Sequence, residues 1–143
     1  MGYSKLLVVD DEQAFLSVMQ KRLSRRGIDV SLAKSGEEAI TEITETRDFD
    51  VVILDVRMPG LDGIQVLKEI KKISPQTQVI VLTAHPSFEA ALEVTNLGAF
   101  AYLIKPCDFE ELVTKVLQAA ARRRRPPGCL SPVLEQQYFE ETR

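Results

Sequence analysis

Lys5-Leu-Leu-Val-Val-Asp-Asp-Glu12 decides how the chain is read. An unbroken apolar run ends abruptly in acid. A strand with one wet face alternates apolar and polar residues; one that does not alternate is covered on both faces. The same form returns at Val51-Val-Ile-Leu54, at Val79-Ile-Val-Leu82 and at Ala101-Tyr-Leu-Ile104, with a further short strand from Ile28 to Ala33. Each run stops at a polar or charged residue.

Between these runs the apolar residues recur instead at steps of three and four. Phe15, Val18, Met19 and Leu23 mark a helix from Glu12 to Arg26, stopped by Gly27 as a left-handed cap. Ser35 with Glu38 forms a capping box ahead of Ala39, Ile40 and Ile43. Asp62 with Gln65 opens a helix carrying Ile64, Val66, Leu67 and Ile70, ended before Pro75. Pro86 to Leu97 carries Phe88, Ala91, Leu92 and Val94, closed by Gly98. Asp108 with Glu111 caps a last helix, in which Leu112, Val116 and Leu117 form the core stripe. Strand and helix in strict alternation give an α/β, doubly wound (βα)5 fold: a five-stranded parallel sheet with helices on both faces.

Composition agrees. The chain has 143 residues, 45% hydrophobic and 27% charged, which suits one soluble domain able to bury a core without staples. No apolar run approaches a membrane span, and Asp10-Asp11-Glu12 ends the first run too early for a secretory signal. Gly2 lacks the residue that a myristoylation pattern needs at position 6, which is Leu. Cys107 and Cys129 form no disulfide framework, so a cytoplasmic location is expected. The net charge of −3 divides unevenly: residues 1–121 are acidic, and Arg122 to Arg125 begin a basic edge. The acidic body is a poor nucleic-acid surface, because phosphate contact needs a basic face. The arginines are read as favourable partners of a helix C-terminus.

In such a sheet, ligands bind beyond the carboxyl ends of the strands. There stand Asp10 and Asp11, Asp55, Thr83 with Ala84, and Lys105 with Pro106. A single Asp in such a place is an ordinary helix cap; three carboxylates, a hydroxyl and an ammonium on one rim are not. Two carboxylates about 4 Å apart repel by roughly 4 kcal/mol at an effective dielectric near 20. A cation relieves that, and hard oxygens at an open site suit Mg2+. The ammonium and hydroxyl are what a phosphoryl group needs, and an Asp carboxylate can itself be the nucleophile.

These residues carry a resemblance. Val-Val-Asp10-Asp11-Glu12, Leu54-Asp55-Val-Arg57-Met58-Pro59-Gly60-Leu-Asp62-Gly63, Leu82-Thr83-Ala84 and Tyr102-Leu-Ile-Lys105-Pro106 are similar to the signature of a response-regulator receiver domain of bacterial two-component signalling. The resemblance covers about residues 4–124, leaving 125–143 as a tail or linker. It implies a flavodoxin-like strand order of 2-1-3-4-5. It further implies that Asp55 accepts a phosphoryl group from a sensor histidine kinase or phosphotransfer protein. Asp10, Asp11, Asp55 and the backbone carbonyl of Arg57 would hold Mg2+, with Mn2+ as a substitute. Thr83 and Lys105 would bind the phosphoryl oxygens. Thr83 and Tyr102 would form the switch, while Arg57, Ala84 and His85 would tune hydrolysis of the acyl phosphate. The Lys105–Pro106 bond is expected to be cis.

On this reading the chain is a signalling phosphoacceptor rather than an enzyme, assisting its own phosphorylation and slow autodephosphorylation. The face of the fourth helix, fifth strand and fifth helix would address a downstream effector, a fused output domain or a second copy. The residues after Ala121 are too few for an output domain, so a stand-alone receiver or a piece of a longer regulator is expected. His85 is read as a loop residue, Cys107 as packed behind the site loop, and Phe100 as packing on the side opposite Tyr102. Three rivals share some features. A haloacid-dehalogenase-like phosphatase needs an acid two residues after its nucleophile, where Arg57 stands. An FMN binder needs a phosphate loop where Asp10-Asp11-Glu12 would repel one. A phosphorylation-independent pseudo-receiver would have lost acidic-pocket residues that are all present.

Overall fold

The computed structural model describes residues 4–46, 48–56 and 62–123. In chain order the elements are β1 (Lys5–Val9), α1 (Gln13–Ser24), β2 (Asp29–Ala33), α2 (Gly36–Thr46), β3 (Val51–Leu54), α3 (Gly63–Ile73), β4 (Gln78–Thr83), α4 (Phe88–Asn96), β5 (Ala101–Ile104) and α5 (Phe109–Arg123). The strands form one parallel sheet in the order β2-β1-β3-β4-β5. The expected α/β fold and its strand order are both present.

The pleat divides the core. Leu6, Val8, Ile53, Ile80 and Leu82 face α1 and α5, meeting Leu16, Leu23, Leu112 and Val116. Leu7, Val9, Val52, Leu54, Val79 and Val81 face the other way, onto Ala39, Ile43, Leu67, Ile70 and Val94. Each Leu or Ile buried in this way contributes roughly 1.5–3 kcal/mol relative to exposure. These apolar runs are continuous because consecutive residues serve different cores.

Register brings the carboxyl ends level. Val9 pairs with Leu54, Leu54 with Val81, and Thr83 with Ile104. The backbone ladder runs one residue past three strands: Asp10 N–H donates to Ala33 O (3.1 Å), Asp55 N–H to Val9 O (3.2 Å) and Lys105 N–H to Thr83 O (2.8 Å). The rim residues are therefore seated by sheet hydrogen bonds, not by free loops.

Local chemistry fixes the helix starts. Ser35 Oγ accepts from Glu38 N–H, Asp62 from Ile64 N–H and Asp108 from Glu111 N–H, as the capping pattern implies. The start of α4 differs from the expected Pro86: Ser87 is its cap, accepting from Ala90 N–H at 3.0 Å, and Phe88 is its first residue. Gly27, with φ of 80°, reverses the chain after α1. Gly63 opens α3 where a Cβ would lie 2.2 Å from Val56 Cα, so no other residue fits without backbone movement.

Several apolar positions expected on core stripes are exposed: Val18, Phe88, Leu92 and Leu117. Spacing identifies a helical face but not the width of the arc the sheet covers. On α1 the core place belongs to Leu16, and on α4, beside the edge strand β5, Val94 alone is buried. Phe100 packs toward α1 and α5 while Tyr102 packs on the α4 side. Phe100 precedes β5 and so stands outside its pleat.

At the opposite end of the sheet, Arg122 lies over the Phe100 ring, and Arg123 Nε is 3.8 Å from Asp50 Oδ1. Two of the four arginines thus have partners on the body; Arg124 and Arg125, with the rest of the tail, lie outside the described residues. Among the described residues no helix is long and apolar enough to cross a membrane.

Candidate functional site

Acidic residues meet at the level rim. One oxygen from each of Asp10, Asp11 and Asp55 lies within 4.8 Å of the others. Asp10 is buried, Asp55 is buried at 7% exposure, and Asp11 is open to solvent. The ammonium of Lys105 reaches into this group, 2.5 Å from Asp10 Oδ2 and 3.5 Å from Asp55 Oδ2. The other oxygen of Asp10 accepts from Glu12 N–H at 3.0 Å, which orients the carboxylate. The Lys105–Pro106 peptide is cis, as expected.

Charge follows from this geometry. Burial lowers the pKa of Lys105, but the hydrogen bond and charge of Asp10, with those of Asp55, outweigh it and hold the ammonium above its ordinary pKa. Three carboxylates against one ammonium leave the group doubly negative. A divalent cation would neutralise it. Hard oxygens, one of them on an exposed side chain, fit an ion that keeps several waters. The donor set therefore fits Mg2+. The backbone carbonyl of Arg57, expected to complete the set, and the Arg57 side chain, expected to tune hydrolysis, lie outside the described residues.

Thr83 ends β4, fully buried, and its Oγ1 accepts from His85 N–H at 3.1 Å. Ala84 and His85 are exposed on the loop that follows. The Tyr102 hydroxyl accepts from Ser87 N–H at 3.2 Å. The loop between β4 and α4 is thus held at two backbone N–H groups, one by Thr83 and one by Tyr102. Sequence reasoning missed Ser87, although a Ser three residues before Ala90 is an ordinary cap signal.

It also missed Phe15, whose ring centroid lies 4.1 Å from Lys105 Nζ. Beside this contact is a cavity of about 380 Å3 lined by Phe15, Met19, Leu82, Ala84, Lys105 and Cys107, among others. Cys107 is half-buried there. Burial, then the charges of Glu111 and Asp108, push its thiol pKa up, which keeps it poorly nucleophilic.

Comparison with known proteins accords with this geometry. The sequence profile described as "Response regulator receiver domain" matches residues 6–117. The transcriptional regulatory protein ZraR of Escherichia coli O157:H7 is 44% identical over 116 residues, covering 81% of this chain and 26% of that protein. The DNA-binding transcriptional regulator NtrC of Klebsiella pneumoniae is 39% identical over 112 residues, covering 78% of this chain and 24% of that protein. The chain thus spans about a quarter of the length of these curated relatives. The solved receiver domain of a response regulator from Clostridium thermocellum superposes with a TM-score of 0.81 at 38% identity, covering 85% of this chain and 97% of that one. By profile, sequence and fold alike, the chain belongs to the response regulator receiver domain family.

Proposed function

We propose that the chain is a phosphorelay receiver whose acceptor is Asp55 and whose functional unit spans residues 4–124, with 125–143 as tail or linker. The observation that carries this reading is the position of Lys105 Nζ between buried carboxylates of Asp10 and Asp55 on the rim that also bears Thr83. Receiver domains bind Mg2+ at an acidic pocket, and here Asp10, Asp11 and Asp55, with the Arg57 carbonyl, would hold it. Bound there, Mg2+ or Mn2+ supplies charge neutralisation for the transferring group.

A carboxylate oxygen of Asp55 attacks the phosphorus of a phosphohistidine on a sensor kinase or phosphotransfer protein. The P–O bond forms as the P–N bond breaks; the imidazole nitrogen keeps the electron pair and takes a proton. Lys105 pairs with the phosphoryl group and Thr83 donates its hydroxyl to an oxygen. That draws Thr83 Oγ1 from His85 N–H and frees one of the two ties on the loop. Tyr102, bonded to Ser87 N–H, is the other tie and moves with it. A bias of a few kcal/mol on a two-state loop is enough to change which partner binds. Ala84, His85 and Arg57 tune the return step, in which water attacks phosphorus and restores the carboxylate.

The altered surface is that of α4, β5 and α5, where Phe88, Leu92, Ile104 and Leu117 are exposed. It would meet a downstream effector, an output domain or a second copy. ZraR and NtrC are transcriptional regulators by name, which supports a cytoplasmic role upstream of such an output. The receiver itself, acidic in its body, does not contact nucleic acid.

The test is intact mass after incubation with acetyl phosphate and Mg2+. One added phosphoryl group, absent with a chelator and in Asp55→Asn, supports the reading. No gain would favour a phosphorylation-independent pseudo-receiver, and steady turnover of a phosphate ester would favour a phosphatase.

A further inference from the structure

We propose that Phe15 is a positioning residue for Lys105, an inference that rests on the phosphoacceptor reading above. The ammonium has three N–H donors. It sits 2.5 Å from Asp10, 3.5 Å from Asp55 and 4.1 Å from the centroid of the Phe15 ring. A benzene face is negative and attracts a cation, more strongly where water is excluded. Only 14% of the Lys105 side chain is exposed.

The ring does something a third carboxylate would not. It holds the cation without a lone pair that would compete for its protons, so the donors stay available to incoming phosphoryl oxygens. The need for such a wall is visible beside it. Lys105 and Phe15 both border the cavity of about 380 Å3, into which an unrestrained lysine could swing away from Asp55. Local structure supplies the wall economically. Asp10, Asp11 and Phe15 belong to one segment, the end of β1 and the first turn of α1. Leu16, buried in the core, fixes the rotation of α1 and with it the neighbouring ring.

Two substitutions separate holding a cation from filling space. Phe15→Leu keeps an apolar side chain and removes the ring; Phe15→Tyr keeps the ring. The first readout is spectroscopic and independent of any phosphoryl chemistry. In the wild type and Phe15→Tyr, the Lys105 Cε protons are displaced upfield by the ring current; in Phe15→Leu that displacement disappears. The second is the rate of phosphoryl uptake from acetyl phosphate at saturating Mg2+. It falls about three- to tenfold in Phe15→Leu, the range expected for one cation–π contact, and stays within about twofold of wild type in Phe15→Tyr. If Phe15→Leu does not fold, Phe15→Met takes its place. Wild-type uptake with an unchanged rate in the ring-less variant overturns this inference alone, as does failure of Phe15→Tyr to keep the rate. Absence of uptake in the wild type overturns the phosphoacceptor reading beneath it, and an undisplaced Lys105 signal overturns the contact itself.

Discussion

The Lys105 ammonium lies 2.5 Å from Asp10 Oδ2, joining two residues 95 positions apart across the rim of the sheet. Asp10 is 1% exposed, so the contact is largely shielded from water. Its pH dependence has a definite sign. Lys105 has a raised pKa in the folded chain, because the attraction of Asp10 and Asp55 outweighs burial. The stability it contributes is fully present below the unfolded lysine pKa, about 10.4, and is lost as pH rises through the folded value. Lys105→Met is expected to cost about 3 kcal/mol at pH 8 in chelator, the low end for breaking a buried pair, since it leaves buried carboxylates without a cation. Urea titrations from pH 8 upward should show a constant gap between variant and wild type to about pH 10 and a narrowing gap above it. Added Mg2+ should stabilise Lys105→Met more than the wild type, because it replaces the lost charge.

Asp11 offers a cleaner test of metal binding, being exposed where Asp10 is not. Asp11→Asn is expected to change stability in chelator by no more than about 0.5 kcal/mol. It should weaken Mg2+ binding at least tenfold. The readout is the Mg2+-dependent rise in unfolding free energy, about 2.7 kcal/mol at a hundred times Kd for the wild type. Equal rises in the two proteins would remove Asp11 from the metal site.

Gly63 is a test of how α3 is set against β3. A Cβ there would stand 2.2 Å from Val56 Cα and 2.8 Å from its carbonyl carbon, and backbone cannot rotate aside as a side chain can. Gly63→Ala is expected to cost about 3 kcal/mol, the upper part of the usual overpacking range, read from the urea midpoint. Because Val56 follows Asp55, phosphoryl uptake should slow as well.

Thr83 and Tyr102 hold the same loop at His85 N–H and Ser87 N–H. Binding of beryllofluoride, a phosphoryl mimic, should shift both amide resonances together. In Tyr102→Phe the Ser87 tie is lost in advance. Its resonance should begin at the shifted position, at a stability cost of about 1 kcal/mol. A His85 resonance that does not respond to the mimic in the wild type would argue against Thr83 as the switch.

Much of this site was legible in the sequence because each rim residue follows an apolar run, and parallel strands in register bring run ends level. Asp10, Asp55, Thr83 and Lys105 could be read as one group on that ground. The fold class came from the change of period, and the strand order from the family resemblance. What stayed hidden depends on contacts between distant segments or on the breadth of a buried arc. Phe15 packs against the core, and that its ring also meets Lys105 is visible only in the folded chain. Thr77, fully buried, gives its hydroxyl to Phe49 O across the foot of the sheet, and no short pattern announces it. Val18 and Leu117 repeat at helical spacing but fall beyond the covered arc.

The most direct measurement locates the phosphoryl group. The protein is treated with acetyl phosphate and Mg2+, reduced with borohydride to convert an aspartyl phosphate to homoserine, digested and sequenced by mass spectrometry. Homoserine at position 55 and at no other acidic position is the predicted result. An unreduced Asp55, or homoserine at Asp10 or Asp11 instead, would contradict the account.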